Sequence, residues 1–298
     1  MTKKQSKHVF AYVIFSLLFI FSGFTNQGYY LGEACKNTFV LFDCLDKRSV
    51  EEDFLNHVHT LLMKEQKDDS LILVDGHVKD HEYYAKMLVL GQDNILGEFC
   101  GNGSRVCAAY LFDKFKEYDH FYLTTDRGNH ILLKREDNIY SINLSPVTWE
   151  LDPKIICKPE YFQKEGRYYF LPFEGKKLYF GSAIEPHLIL FEKLNKEQLS
   201  VLGRKLNSRR DVFPLGINIS SCHEEGPHLL HLKTYERGVQ RLTLSCGTGS
   251  VTAVELYLSG KKGAVKVRTP GGMLEITVKD NETILQGPAF IEKYVQDN

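Results

Sequence analysis

At 298 residues the chain is long enough for one large or two medium domains with an ample core. It is 43% hydrophobic and 25% charged with a formal net charge of −1, so no basic excess points to nucleic acid and no charge block to a tail. Its seven cysteines are an odd number without regular spacing or a Cys-x-x-Cys, which indicates neither a zinc or other metal site nor a disulfide framework; reduced thiols are the simpler reading.

In chain order, Lys3, Lys4 and Lys7 precede an apolar run over 9–24 that is interrupted only by Ser16, Ser22 and Gly23. A basic start followed by an apolar stretch is the pattern of a signal peptide, or of an anchor short for a full span. No small-x-small cleavage site follows it, so residues 1–26 read either as a leader or as a mis-assigned start, and membrane contact enters only through 9–24. Export would expose facing cysteines to oxidation, so the thiol chemistry below fits the cytoplasm.

Strands are expected over 29–31 and 38–42, and a helix from Ser49 with Glu52 as a capping box, burying Phe54, Leu55, Val58, Leu61 and Leu62. Strands follow over 71–74 and 85–90, a turn over 91–94, and hairpin strands over 121–124, 130–134 and 140–144. Residues 145–153 read as a linker between a first domain, 27–147, and a second, 148–284, in which comparable elements recur. These are strands over 167–171, 177–180, 187–191 and 216–220 with a helix over 197–206. Strands over 265–269, 274–278 and 290–294 close the chain, separated by turns at 270–272 and 286–288.

Two stretches share one form: Cys100-Gly101-Asn102-Gly103-Ser104 and Cys246-Gly247-Thr248-Gly249-Ser250, each running into an apolar helical segment. Glycines at a helix start let backbone N–H groups approach an anion, and the helix dipole favours negative charge there. The same field favours thiolate over thiol. A single such stretch is more often a buried cysteine beside a tight turn, but the duplication points to two thiols presented to one substrate.

The pair resembles the two cysteine motifs of the diaminopimelate epimerase family, and the likeness runs from Gly28 to the C-terminus. Asn37-Thr38-Phe39 with Asp43 is similar to the family's opening strand, and Glu98 to Arg105 to its first cysteine motif. Pro186-His187 resembles its Asn-Pro-His element, Phe213-Pro214 with Gly216 to Ile219 its Phe-Pro…Asn segment, and Thr234 to Gly238 with Ser245 to Gly249 its second motif. Gly272-Met273-Leu274 and Gly287-Pro288-Ala289 resemble its closing strands. The resemblance implies an α/β (α+β) fold of two pseudo-symmetric domains, each a curved, mostly antiparallel sheet around a central helix, with the final strand, 285–298, returning to the first.

It also implies a cofactor-independent isomerase that inverts the α-carbon of an amino acid, LL- to meso-diaminopimelate, for lysine and peptidoglycan precursors. Cys100 and Cys246 would be the acid/base pair, with His187 and Glu236 poising them. Substrate contacts would come from Asn37, Gly101, Asn102, Asn218, Arg237, Gly247 and Thr248, Arg237 as a carboxylate fork. No metal or cofactor is called for, the only partner is the amino-acid substrate, and a homodimer is compatible with this reading. The departures concern substrate: Gly91 and Glu185 stand where the family has asparagines, and its glycine-rich segment is replaced by residues 65–69. A carboxylate at Glu185 favours a polar or cationic side chain, so a racemase of another amino acid stands beside the first reading. A membrane-tethered, non-catalytic amino-acid binder is the third, against which the two cysteines weigh.

Overall fold

The computed structural model describes residues 28–126 and 128–297, and the leader expected over 1–26 lies outside the described residues. Strands Tyr29–Ala34 and Asn37–Cys44 form an antiparallel hairpin, and helix α1 (Glu52–Glu65) crosses over to Asp69–Lys79, parallel to Asn37–Cys44. Glu82–Gly91 turns back antiparallel, and helix α2 (Gly101–Lys114) crosses over to His120–Thr125. Gly128–Lys134 and Ile139–Leu144 complete a meander.

The second half repeats this order. Lys176–Ala183 and Glu185–Leu190 pair antiparallel; helix α3 (Lys196–Ser208) leads to Asn218–Gly226, parallel to Glu185–Leu190; and Leu229–Glu236 turns back. Helix α4 (Gly247–Leu258) then leads to the meander Gly263–Thr269, Gly272–Val278 and Thr283–Pro288. Thr283–Pro288 pairs with Ile139–Leu144, and Phe290–Val295 returns to Tyr29–Ala34, so the nineteen described strands form one hydrogen-bonded ladder. The fold is mixed α/β, two similar halves each with a mostly antiparallel sheet around a central helix, as the sequence implied.

The helices divide by their apolar pattern. α1 and α3 bury one stripe each, Phe54, Val58, Leu61 and Leu62 in the first and Leu199, Leu202 and Leu206 in the second, and cap outer cores. α2 and α4 are buried nearly all round and share the central core. Their first turns, polar and glycine-rich, are therefore held inside the protein.

Two local expectations change. The capping box at Ser49 does not form: the chain is still extended at Glu51, which precedes the first helical residue, Glu52, so Ser49 lies too far upstream to cap α1. The reciprocal box belongs to α3, between Asn195 and Gln198. Residues 286–288 continue a strand rather than turn; Gly287 is needed because a Cβ there would meet Leu274 Cδ2 at 2.6 Å and Arg105 Nε at 3.3 Å. Among the described residues no helix is long and apolar enough to cross a membrane.

Candidate active site

The first turns of α2 and α4 meet. A Cβ built on Gly101 would lie 3.9 Å from the Cα of Gly247, and the reverse distance is the same. Cys100 and Cys246, each the extended residue just before its helix, are thereby brought to one place. Asn102 ties the halves together: its Nδ2 donates to the Ser245 carbonyl and to Asn37 Oδ1, both at 3.2 Å. The N–H groups of Gly101, Asn102, Gly247 and Thr248 lie in first turns, where a helix supplies no acceptor. Two dipole ends thus face one small volume.

Each sulfur has its own surroundings. Cys100 Sγ accepts the Gly103 N–H at 3.3 Å. Burial, then the charge of Asp69, pushes its thiol up to about 12 against that bond and Arg105. Cys246 Sγ lies 3.6 Å from Thr248 Oγ1. Burial, then the Glu236 carboxylate, carries it well above the ordinary thiol value. The sequence reading that the helix field favours thiolate is therefore incomplete: N–H groups pull in that direction, but desolvation is larger. Both groups are therefore held as thiols near pH 7.

Two carboxylates stand beside them. Glu236 accepts from Thr243 Oγ1 at 2.6 Å and is hydrogen-bonded with Cys246; burial is the first cause of its raised pKa. Asp69 opens the strand Asp69–Lys79 on the same face as Leu71, whose Cδ2 would lie 2.6 Å from a Cβ on Gly103. Burial, with the charges of Asp68 and Glu236, pushes Asp69 up to about 7 against a hydrogen bond from Asn37. Asp69 was missed in the sequence. The available signal was an acidic pair, Asp68-Asp69, directly ahead of the apolar run over 70–74. Gly91 sits across the ladder from Asp69, so that strand adds no side chain there.

His187 is fully buried, with Nε2 2.9 Å from Thr248 Oγ1 and Nδ1 without a partner. A Cβ on Gly249 would lie 3.2 Å from His187 Cε1 and 3.3 Å from Cys246 Sγ, so that glycine admits both. Burial and then Arg237 lower the imidazole to about 3, so it is neutral near pH 7. Asn218, opposite His187 in the parallel ladder, accepts the Arg237 backbone N–H at 2.9 Å. Arg237 Nη2 donates to Glu185 Oε2 at 2.6 Å, so the expected carboxylate fork is already engaged within the protein.

Comparison with known proteins follows this geometry. The family described as Diaminopimelate epimerase matches residues 184–291. A protein of that name from Thermotoga maritima is 31% identical over 260 residues, covering 84% of this chain and 94% of the relative. One from Chlamydia trachomatis serovar A is 26% identical, covering 90% of this chain and 91% of its own length. Among solved structures, a hydroxyproline epimerase from Agrobacterium vitis with bound trans-4-hydroxy-L-proline superposes with a TM-score of 0.61 at 13% identity, covering 91% of each chain. That likeness is one of fold.

Proposed function

The chain belongs to the diaminopimelate epimerase family, as an isomerase acting on amino acids, and from that premise we propose that Cys100 and Cys246 invert the α-carbon of a free amino acid without a cofactor. The observation that carries the reading is the meeting of Gly101 and Gly247, which faces two cysteine-led helix starts at one volume.

The chemistry needs one thiolate and one thiol. The thiolate takes the α-proton from one face of the substrate, and the C–H electron pair moves into the carboxylate. The N–H groups of Gly101, Asn102, Gly247 and Thr248 stabilise that charge. The thiol on the other face returns a proton to carbon, leaving the pair exchanged and ready for the reverse direction. Because burial keeps both sulfurs protonated in the free protein, one proton must first leave. Glu236 beside Cys246 and Asp69 beside Cys100 are the acceptors at hand, and their own raised pKa values narrow the gap to a thiol. His187, neutral, holds the Thr248 hydroxyl toward Cys246.

In this reading each half, 27–147 with 285–298 and 148–284, supplies one sulfur, and the cytoplasm keeps both reduced. The relatives' names put diaminopimelate first, its LL- to meso inversion serving lysine and peptidoglycan precursors. The Glu185–Arg237 pair favours a second reading, an amino acid of another class on the same machinery.

Proton NMR in deuterated water tests the proposal. Loss of the α-hydrogen signal is expected with reduced protein, and Cys100→Ala and Cys246→Ala are each expected to slow it by ~10²-fold or more. Two folded variants that both keep full exchange would end the two-thiol reading.

A further inference from the structure

We propose that this site selects α-amino acids whose side chain carries no second carboxylate, with Glu185 as the residue that enforces the choice. The inference rests on the reading that an amino acid binds between the two cysteines, and it names the class of that substrate.

The Glu185–Arg237 contact is not a loose surface pair. Its N···O distance is 2.6 Å, and the side chains are only 17% (Arg237) and 20% (Glu185) exposed, so solvent screens it weakly. Arg237 directly follows Glu236, which is hydrogen-bonded with Cys246, and its charge is felt at His187. Glu185 is two residues before His187 on the same strand and therefore faces the same side. The pair lies in the wall that continues from Cys246 through Thr248 and His187.

Backbone geometry fixes Glu185 there. Ala183 and Glu185 pair across a turn whose single central residue is Ile184, at φ 71. A β-branched residue in left-handed conformation is strained, and such strain persists only where the surroundings hold it. The surrounding charge adds to the effect. Four arginines lie around this cluster: Arg237 pairs with Glu185, Arg241 stands 3.6 Å from Asp68, Arg105 donates to Asn102, and Arg210, exposed beyond Gly216, donates to the Pro214 carbonyl. Of the other ionisable groups at the site, Asp69 and Glu236 are carboxyl groups and His187 is neutral near pH 7.

A substrate's α-carboxylate has the helix starts to receive it. A second carboxylate at the far end finds the one half-buried cation on this wall, Arg237, already paired: to reach it the carboxylate must displace Glu185, leaving that group unpaired beside Glu236. Like charges brought together in a shielded site are strongly disfavoured. A neutral side chain meets no such cost, and a cationic one brings no second carboxylate beside Glu185 and Glu236. Diaminopimelate has a carboxylate at each end. An asparagine at 185, as in the Asn-Pro-His element that this segment resembles, would leave the Arg237 guanidinium open to it.

The test uses pairs differing by one terminal carboxylate, lysine against diaminopimelate and glutamine against glutamate, on the wild type, Glu185→Asn and Glu185→Gln. Affinity is read by calorimetry and α-hydrogen exchange by proton NMR. The wild type is expected to prefer the monocarboxylate of a pair by about tenfold or more, and Glu185→Asn to shift that ratio toward diaminopimelate by a similar factor. A wild type that binds diaminopimelate at least as tightly as lysine, with the ratio unmoved in Glu185→Asn, overturns the proposal. Preference for lysine in calorimetry without exchange of any α-hydrogen upholds the selection and overturns the catalytic reading instead. Rapid exchange with diaminopimelate over lysine does the reverse.

Discussion

Arg105 Nη2 donates to Asn102 Oδ1 at 2.7 Å, and the guanidinium that does so is fully buried. Its other contacts are the Gly101 carbonyl at 3.3 Å and Cys35 Sγ at 3.7 Å, none of them a carboxylate. Arginine can only donate, so it fixes which end of the Asn102 amide is oxygen. The Asn102 NH₂ is thereby directed at Ser245 and Asn37, across the junction between the halves.

Replacing Arg105 with Met keeps most of the volume and frees the Asn102 amide to turn. A stability loss of ~1–3 kcal/mol in urea unfolding is expected, from the acceptors left without a donor. Exchange activity should fall further than stability, because the junction at Ser245 loosens. A variant as active as wild type would show that Asn102 is held by other means.

Burial sets the reactivity of the two central thiols. With Cys100 pushed up to about 12 and Cys246 also raised, iodoacetamide at pH 7 should label exposed Cys157 first. Cys100 and Cys246 should follow at least ~10-fold more slowly, as peptide mapping would register. Glu236→Gln separates two effects. Removing its charge should speed labelling of Cys246, whereas α-hydrogen exchange should drop by ~10²-fold, since the proton acceptor is gone. Slower labelling of Cys246 in this variant would contradict the charge argument.

Much of this arrangement is legible in the sequence alone, for a definite reason. The Cys-Gly-x-Gly-Ser pair encodes its own local geometry, because glycine at a helix start and an apolar helix after it leave few alternatives. Asp69 was not legible: its importance comes from strand register, which puts it on the face of Leu71 and Gly103. Arg105 reads as a polar residue on a helix until the strand at Gly287 closes over it. The Glu185–Arg237 contact joins residues 52 positions apart, and only the turn at Ile184 and the end of the facing hairpin bring them together. Local chemistry was readable, whereas these particular tertiary contacts were not.

Two buried groups give opposite pH dependences of stability. Asp69, raised to about 7, binds its proton more tightly folded than unfolded, so its contribution falls as pH rises from about 4 to 7. His187, lowered to about 3, binds its proton less tightly folded, so its contribution rises from about pH 3 to 6.5. Over the shared window the slopes oppose each other, and the wild type should be nearly flat or, with Glu236 also raised, decline gently. Relative to wild type, Asp69→Asn should tilt the profile toward a rise with pH and His187→Gln toward a fall, each by up to ~1 kcal/mol per pH unit in urea titrations. Parallel profiles for the two variants would show that neither group controls stability.

The contact between helix starts predicts an asymmetry between its two glycines. A Cβ at Gly247 would lie 2.8 Å from Leu285 Cδ2, whereas one at Gly101 would lie 3.3 Å from the same atom. Leu285 is fully buried in the strand Thr283–Pro288 and has little room to withdraw. Gly247→Ala should therefore cost ~1–3 kcal/mol, more than Gly101→Ala, and reduce exchange activity by wedging the cysteines apart. Leu285→Val shortens the obstructing branch at a cost of ~1 kcal/mol by itself. Combined with Gly247→Ala it should recover part of the loss in both stability and activity, giving a favourable coupling in a double-mutant cycle. Simple additivity would mean that the Gly247 site relaxes by another route, and that activity depends on something other than the spacing of the two helix starts.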